Sequence, residues 1–245
     1  MSEVSSQIQS RQERLVAMGQ MAASLAHEIR NPLGSMELYC TLLKKDLKAL
    51  PEAFTLAENI HQGIRRLERI IANCLQFSRD VQPKYHSVEN IEEYLKETME
   101  IAYPKLSSAR CVVTVSHKGP KRVYVDGYLL SQALINIIHN AIDASSEYAK
   151  EPHVSIESIV KEGVSWTISV TDNGPGISES DKEKIFDPFF TTKKEGTGLG
   201  LAIVHSIVQA HQGSLVIESA IGNESGTTVT IELSQSADMF TKNGQ

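Results

Sequence analysis

Apolar residues recur on a strict three-four spacing near the start of the chain: Leu15, Met18, Ala22, Leu25, Ile29, Met36, Tyr39 and Leu43, with Pro32 in the one vacant seam position. That period predicts a long amphipathic helix with a coiled-coil-like seam. After "KALPEA", where Pro51 suits the first turn of a new helix, Ile60, Ile64, Leu67, Ile71 and Cys74 repeat the spacing. The expectation is an antiparallel helical hairpin. Two helices with narrow apolar stripes cannot enclose a dry core alone, whereas two hairpins make a four-helix bundle, so a homodimer is expected.

Beyond "SRDVQPKYHS" the period changes to alternating helices and strands. Helices are expected over 90–103, 127–147 and from about Gly198 to His211. Strands are expected at "CVVTVSH", "RVYVD", "HVSIESIV", "VSWTISVTD", "SLVIES" and "TTVTIELS", with a hairpin through Glu162-Gly163. This divides the chain into a helical extension (1–14), a helical hairpin (15–82), an α/β sandwich (86–236) and a frayed tail (237–245).

Composition narrows the function. The net charge of −6 opposes a nucleic-acid-coating role, which needs a basic surface to replace phosphate counterions. Cys40, Cys74 and Cys111 stand in no metal-ligand spacing and read as free thiols. No run of eighteen apolar residues and no signal-peptide core appear, so the expectation is a soluble, cytoplasmic chain without direct membrane contact.

Four pieces of the second half carry chemistry. In "NIIHNAID" the apolar face is Leu134, Ile137, Ile138, Ala141 and Ile142, and Asn136, Asn140 and Asp143 cluster opposite. Such a stripe is either a solvated face or a pair of uncharged oxygen ligands for a Mg²⁺ that also keeps waters and phosphates. In "TDNGPGIS" Asp172 ends a strand; it is either a turn residue or an acceptor for an exocyclic amine such as adenine's. "FDPFFTTKK" sets Thr191, Thr192, Lys193 and Lys194 after three phenylalanines. "EGTGLGLAIV" is a glycine-rich turn opening a helix, whose free amides and dipole favour an anion. Neither the Walker nor the Rossmann glycine spacing is present, and the H-R-D and D-F-G signatures of eukaryotic-type kinases are absent.

In this order the four pieces resemble the N, G1, F and G2 boxes of bacterial sensor histidine kinases, and "LAHEIRNPL" resembles their H box. The finer similarity is to soluble kinases of the nitrogen- and flagellar-regulation type. The resemblance implies a Bergerat-type α/β sandwich that binds ATP and Mg²⁺ behind a dimeric four-helix bundle. It implies that Asn136 and Asn140 hold Mg²⁺ and phosphates, with Asn140 the metal ligand, and that Asp172 bonds the adenine amine. Gly174 and Gly176 would admit the base, Thr192 and Lys193 would approach the phosphates, and Gly196, Gly198 and Gly200 would shape a compact lid. The partner implied is a response-regulator receiver domain, with a sigma-54 activator as its candidate carrier.

Three further residues follow from the H box. His27 falls between the seam positions Leu25 and Ile29, facing outward, and is the candidate phosphoryl acceptor. Glu28 is placed to take its Nδ1 proton, leaving the other nitrogen to attack. Asn31, on the same helix face one turn on, is the candidate that orients water against the phosphorylated partner. The resemblance also implies a superfamily shared with the Hsp90 chaperones, type II topoisomerases and MutL, whose ATPases carry a glutamate where this chain has Asn136, and an amide is no general base. Phosphotransfer is therefore favoured over hydrolysis. A hydrolytic ATPase and a non-catalytic dimeric scaffold are the alternatives. Pro32 cannot donate an amide to the Glu28 carbonyl, so a bend is expected there.

Overall fold

The computed structural model describes Ile29 and residues 31–78, 81–193, 196–222 and 225–235. Leu15, Met18, Ala22, Leu25, His27, Glu28, Lys194, the extension 1–14 and the tail 237–245 lie outside them, as do the side chain of Cys74 and the Glu28 carbonyl at the expected bend. The chain divides into two compact units, 1–80 and 81–245.

In the first unit, helix α1 is described over 31–46 and helix α2 spans Pro51–Ser78. A single 3₁₀ turn, Leu47–Ala49, joins them, and Pro51 begins α2 as expected. The contact between the helices uses the expected seam residues Ile64 and Ile71 on α2 but departs from the expected seam on α1. Leu33 and Cys40 of α1 are buried with Ile64 of α2, and Ile71 packs against them. Seam residues Met36, Tyr39 and Leu43 on α1, and Ile60 and Leu67 on α2, are instead about half exposed or more in the single chain. A three-four repeat marks one apolar face of a helix but does not say which neighbour each residue meets. A polar cluster also ties the hairpin. His61 is buried, with Nε2 3.2 Å from Glu37 Oε1 and Nδ1 3.4 Å from Lys44 Nζ. Lys44 also pairs with Glu58, and Arg65 with Glu37.

In the second unit, the sheet order is β2-β4-β5-β7-β6, where β2 is Val112–Lys118, β4 His153–Lys161, β5 Ser165–Asp172, β6 Ser214–Ala220 and β7 Gly226–Ser234. Among the described residues only the β2/β4 pair is parallel. Alternate residues of β4, β5 and β7 face a core containing Val154, Ile156, Trp166, Ile168, Val170, Val229, Ile231 and Leu233. The other face is polar, with hydroxyl pairs Ser169–Thr230 at 3.0 Å and Thr171–Thr228 at 2.9 Å.

Helices α3 (Ile91–Ala109), α4 (Gly127–Tyr148) and α6 (Gly200–Ala210) form the second layer, with α4 packed between the other two. Asp126 caps α4 by accepting from the Leu129 amide at 3.0 Å. Helix α3 runs past Pro104, where sequence analysis ended it, because Leu106 remains buried and Arg110 supplies a left-handed cap (φ 51°). Two short elements were not foreseen: β1 (His86–Val88), which pairs antiparallel with β3 (Val123–Val125), and α5 (Glu179–Lys182), capped by Ser178. Among the described residues no helix is long and apolar enough to cross a membrane.

Candidate nucleotide site

Helix α4 turns its apolar residues Leu134, Ile137, Ile138, Ala141 and Ile142 into the core, which leaves Asn136 and Asn140 on the side facing the start of α6. A Cβ placed on Gly200 would lie 3.6 Å from Asn136 Oδ1 and 3.8 Å from Asn140 Nδ2. The first and last of the four motifs are thus close neighbours. Leu199, ahead of α6, is fully buried and offers no side-chain cap, so the first-turn amides keep their capacity for an anionic ligand.

Asp172 is the last residue of β5, as its position in the sequence predicts. Its Oδ1 accepts from the Gly174 amide at 2.8 Å. Burial raises the Asp172 carboxyl above the ordinary range, against the pull of the Gly174 and Thr227 backbone and of Lys193. A carboxylate kept under-solvated at a strand end has capacity for a further donor.

The glycines prove to be needed by the chain's own packing. A Cβ on Gly174 would lie 2.7 Å from Ala144 Cβ of α4. Gly176 has φ +81°, and a Cβ there would collide with the Ala220 carbonyl oxygen of β6. Gly176→Ala should therefore lower stability by about 2 to 3 kcal/mol. Urea unfolding followed through the fluorescence of Trp166, the chain's one tryptophan, reads this directly; an unchanged midpoint would show that the approach to β6 is not a constraint.

The loop between Phe186 and α6 is pinched at its ends. Phe189 takes a left-handed φ of 69°, and its amide donates to the Gly198 carbonyl at 2.9 Å. Gly198 has φ +67° and no room for a Cβ against the Phe189 backbone, which is why α6 begins at Gly200 and not at Gly198. Phe186 sets its ring 5.3 Å from that of His205 on α6. Within the loop, the Gly196 amide donates to the Lys193 carbonyl at 3.2 Å, the Lys193 amide to Thr191 Oγ1 at 3.1 Å, and Thr192 is exposed.

Lys193 reaches back to α4. Its Nζ donates to Asn140 Oδ1 at 2.8 Å and to Asp143 Oδ2 at 2.9 Å. Asp143 Oδ1 meanwhile pairs with Lys105 of α3 at 2.6 Å. Burial raises the Asp143 carboxyl, but the bonds from Lys105 and Lys193 outweigh it and hold the group below the usual range. His139, one turn before Asp143, is pushed down to about 4 by burial and by Lys105, so its imidazole is neutral near pH 7. In the sequence Asp143 stands on the polar stripe without a role, and nothing there marks Lys105. The acid at the third position of the stripe was the only signal for the pair.

The site thus joins the Asn140 amide oxygen, which already holds one cation, the neighbouring Asn136 amide, an under-solvated carboxylate and an uncapped helix start. That donor set fits a metal-bound nucleoside triphosphate. Residues 125–237 match the family described as histidine kinase-, DNA gyrase B- and HSP90-like ATPase, and residues 17–82 match the His Kinase A (phospho-acceptor) domain. The solved catalytic domain of histidine kinase ThkA is 30% identical, with a TM-score of 0.54 over 64% of this chain and 99% of that one.

The chain belongs to the histidine kinase family. Among its relatives in that family, sensor histidine kinase ZraS of Escherichia coli K12 is 34% identical over 225 residues, covering 91% of this chain and 47% of ZraS. Sensor histidine kinase FlgS of Helicobacter pylori is 35% identical over 214 residues, covering 85% of this chain and 54% of FlgS. This histidine kinase chain therefore spans about half the length of these curated relatives. The crystal structure of histidine kinase ThkA in complex with response regulator protein TrrA is similar over 94% of this chain and 65% of that one, with a TM-score of 0.64 and 29% identity.

Proposed function

We propose that this chain is an ATP-dependent protein histidine kinase that phosphorylates itself on His27 and passes the phosphoryl group to an aspartate of a receiver domain. The observation that carries the reading is the placement of Asn136 and Asn140 beside Gly200 at the start of α6. The side chain at the head of the α4 stripe is an amide, which cannot take a proton from water near neutrality. ATP held there is spared hydrolysis and kept for another nucleophile.

Asp172 orients the adenine amine, Asn140 holds the metal side of the triphosphate, and the α6 amides with Lys193 hold phosphate oxygens. When bound, Mg²⁺ spreads the charge that builds on the transferring phosphoryl group. His27 supplies the attacking nitrogen. Its lone pair forms the bond to the γ-phosphorus as the bond from that phosphorus to the β–γ bridging oxygen breaks, and ADP departs. Glu28 accepts the Nδ1 proton. The exposed face of Met36, Tyr39, Leu43, Ile60 and Leu67 supports a homodimer, since a second hairpin would cover it. The ThkA complex supports a receiver as the onward acceptor, with a sigma-54 activator as the candidate carrier. The same reading divides the chain at 15–82 and 86–236 into a dimerisation and phosphoacceptor hairpin and a catalytic domain.

Incubation with γ-labelled ATP and Mg²⁺ tests the reading. Label should enter the protein with little release of inorganic phosphate. Rapid multiple-turnover hydrolysis without protein label would favour a hydrolytic ATPase instead.

Asn31 lies exposed in the first described turn of α1, open to solvent or to a partner. Asn31→Ala should leave self-labelling intact and slow dephosphorylation of the phosphorylated receiver about tenfold or more, the usual scale for a residue that orients a reacting group. An unchanged dephosphorylation rate would remove Asn31 from the mechanism.

A further inference from the structure

Lys193 carries two roles that conflict. As a phosphate-binding cation it must be free to meet the nucleotide. In this structure its Nζ is committed to Asn140 Oδ1 at 2.8 Å and Asp143 Oδ2 at 2.9 Å. A metal bound through Asn140 Oδ1 would sit about 2 Å from that oxygen. The repulsion between a double and a single positive charge sharing one oxygen outweighs what an amide–ammonium hydrogen bond contributes. Lys193 therefore has to leave Asn140 as a metal-bound nucleotide enters.

What Lys193 leaves behind decides how easily it goes. Asp143 is partly buried, and a carboxylate deprived of its only counter-ion there is costly. Asp143 divides its two oxygens between two cations: Oδ2 holds Lys193, while Oδ1 holds Lys105 of α3. Lys105 stays when Lys193 goes.

We propose that Asp143 is a latch that parks Lys193 on the metal-binding oxygen of Asn140, and that Lys105 is the positioning residue that makes the latch releasable by keeping Asp143 neutralised. The proposal rests on the reading of Asn140 as the metal-side ligand of the nucleotide. It makes the resting site carry its own counter-cation, which is handed to a phosphate when Mg-ATP binds.

The two partners of Asp143 then have opposite effects. Asp143→Asn weakens the hold on Lys193, so Mg-ATP should bind more tightly. Lys105→Met leaves Asp143 with Lys193 alone, so Mg-ATP should bind more weakly. These pairs are about one-third exposed, and changes of about threefold to tenfold in Kd are expected in each direction. A purely structural bridge between α3, α4 and the loop would make both substitutions destabilising and weaken binding in both.

Simple long-range attraction of ATP to positive charge would also give opposite signs, so the decisive measurement is the double variant. Lys105 acts only through Asp143 in the proposal. With Asp143→Asn in place, Lys105→Met should change Kd by less than about twofold, whereas long-range attraction predicts additive effects.

The experiment is calorimetric titration of Mg-ATP into the full chain and these three variants, with Trp166 fluorescence as the check on folding. If Asp143→Asn does not fold, Asp143→Ser takes its place in both the single and double variants. Opposite shifts with loss of the Lys105 effect in the double variant support the latch. Shifts of the same sign, no shift, or additive shifts overturn it while leaving the nucleotide site standing. A wild-type chain that binds no Mg-ATP overturns the site and the latch together.

Discussion

Asp172→Asn should weaken ATP binding severely while leaving the α/β unit as stable as the parent at neutral pH, or more so. The two halves of this expectation have one cause. Burial raises the Asp172 carboxyl, so the folded chain holds that proton more tightly than the unfolded chain does. The sign follows from linkage: stability is greatest below the unfolded carboxyl's pKa and is lost as pH rises through the folded one. At neutral pH the ionised group is a cost to the fold, and the amide removes it. The substituted side chain can still accept the Gly174 amide through its remaining carbonyl oxygen, as Asp172 Oδ1 does.

Toward the nucleotide the same exchange is severe. An exocyclic amine would meet a donor in place of a charged acceptor, and affinity should fall about a hundredfold or more, on the order of 3 kcal/mol. Inosine triphosphate, which lacks the amine, sharpens the test. The parent should prefer ATP strongly, and Asp172→Asn should lose that preference. Calorimetric titration with both nucleotides, alongside urea unfolding followed through Trp166, separates binding from stability. Retained ATP affinity in Asp172→Asn would remove the carboxylate from base recognition.

Some of this site was legible from the chain alone because its signals are local. Asn136 and Asn140 stand four apart on a helix whose apolar face is unmistakable, so their common side follows from 100° per residue. Asp172 closes an alternating strand just before two glycines, and the structure places it at the end of β5. Pro51 and Gly163 mark their turns by backbone preference, and both stand where expected.

What was missed depends on contacts across the sequence. Lys105 meets Asp143 thirty-eight positions later only because α3 and α4 pack side by side. Gly174 and Gly176 also pack closely on Ala144 and Ala220, a demand of the chain itself that the sequence does not show. The hairpin seam was legible on α2, where Ile64 and Ile71 stand in the contact, and less so on α1. Leu33 and Cys40 make the intrachain contact with Ile64, whereas Met36, Tyr39 and Leu43 stay exposed. A heptad pattern sums the demands of every neighbour of a helix and does not say which residue meets which.

The second large effect concerns His27, which lies outside the described residues, so its role rests on the H-box sequence and on the nucleotide site that would serve it. An imidazole with an ordinary pKa near 6.5 is mostly neutral at pH 7.5 and presents a nucleophilic nitrogen. Glutamine matches its size and polarity without that lone pair. A phosphoryl group on imidazole is lost in acid, when the nitrogen becomes protonated and leaves, and survives in alkali; a phosphate ester on serine or threonine behaves in the opposite way. The deciding measurement is therefore incubation of the full chain and of His27→Gln with γ-labelled ATP and Mg²⁺, each product then split between acid and alkali. The account predicts an acid-labile, alkali-stable label on the parent chain and none on His27→Gln, with both chains binding ATP equally. An undiminished label on His27→Gln, or an acid-stable one on the parent, would contradict it.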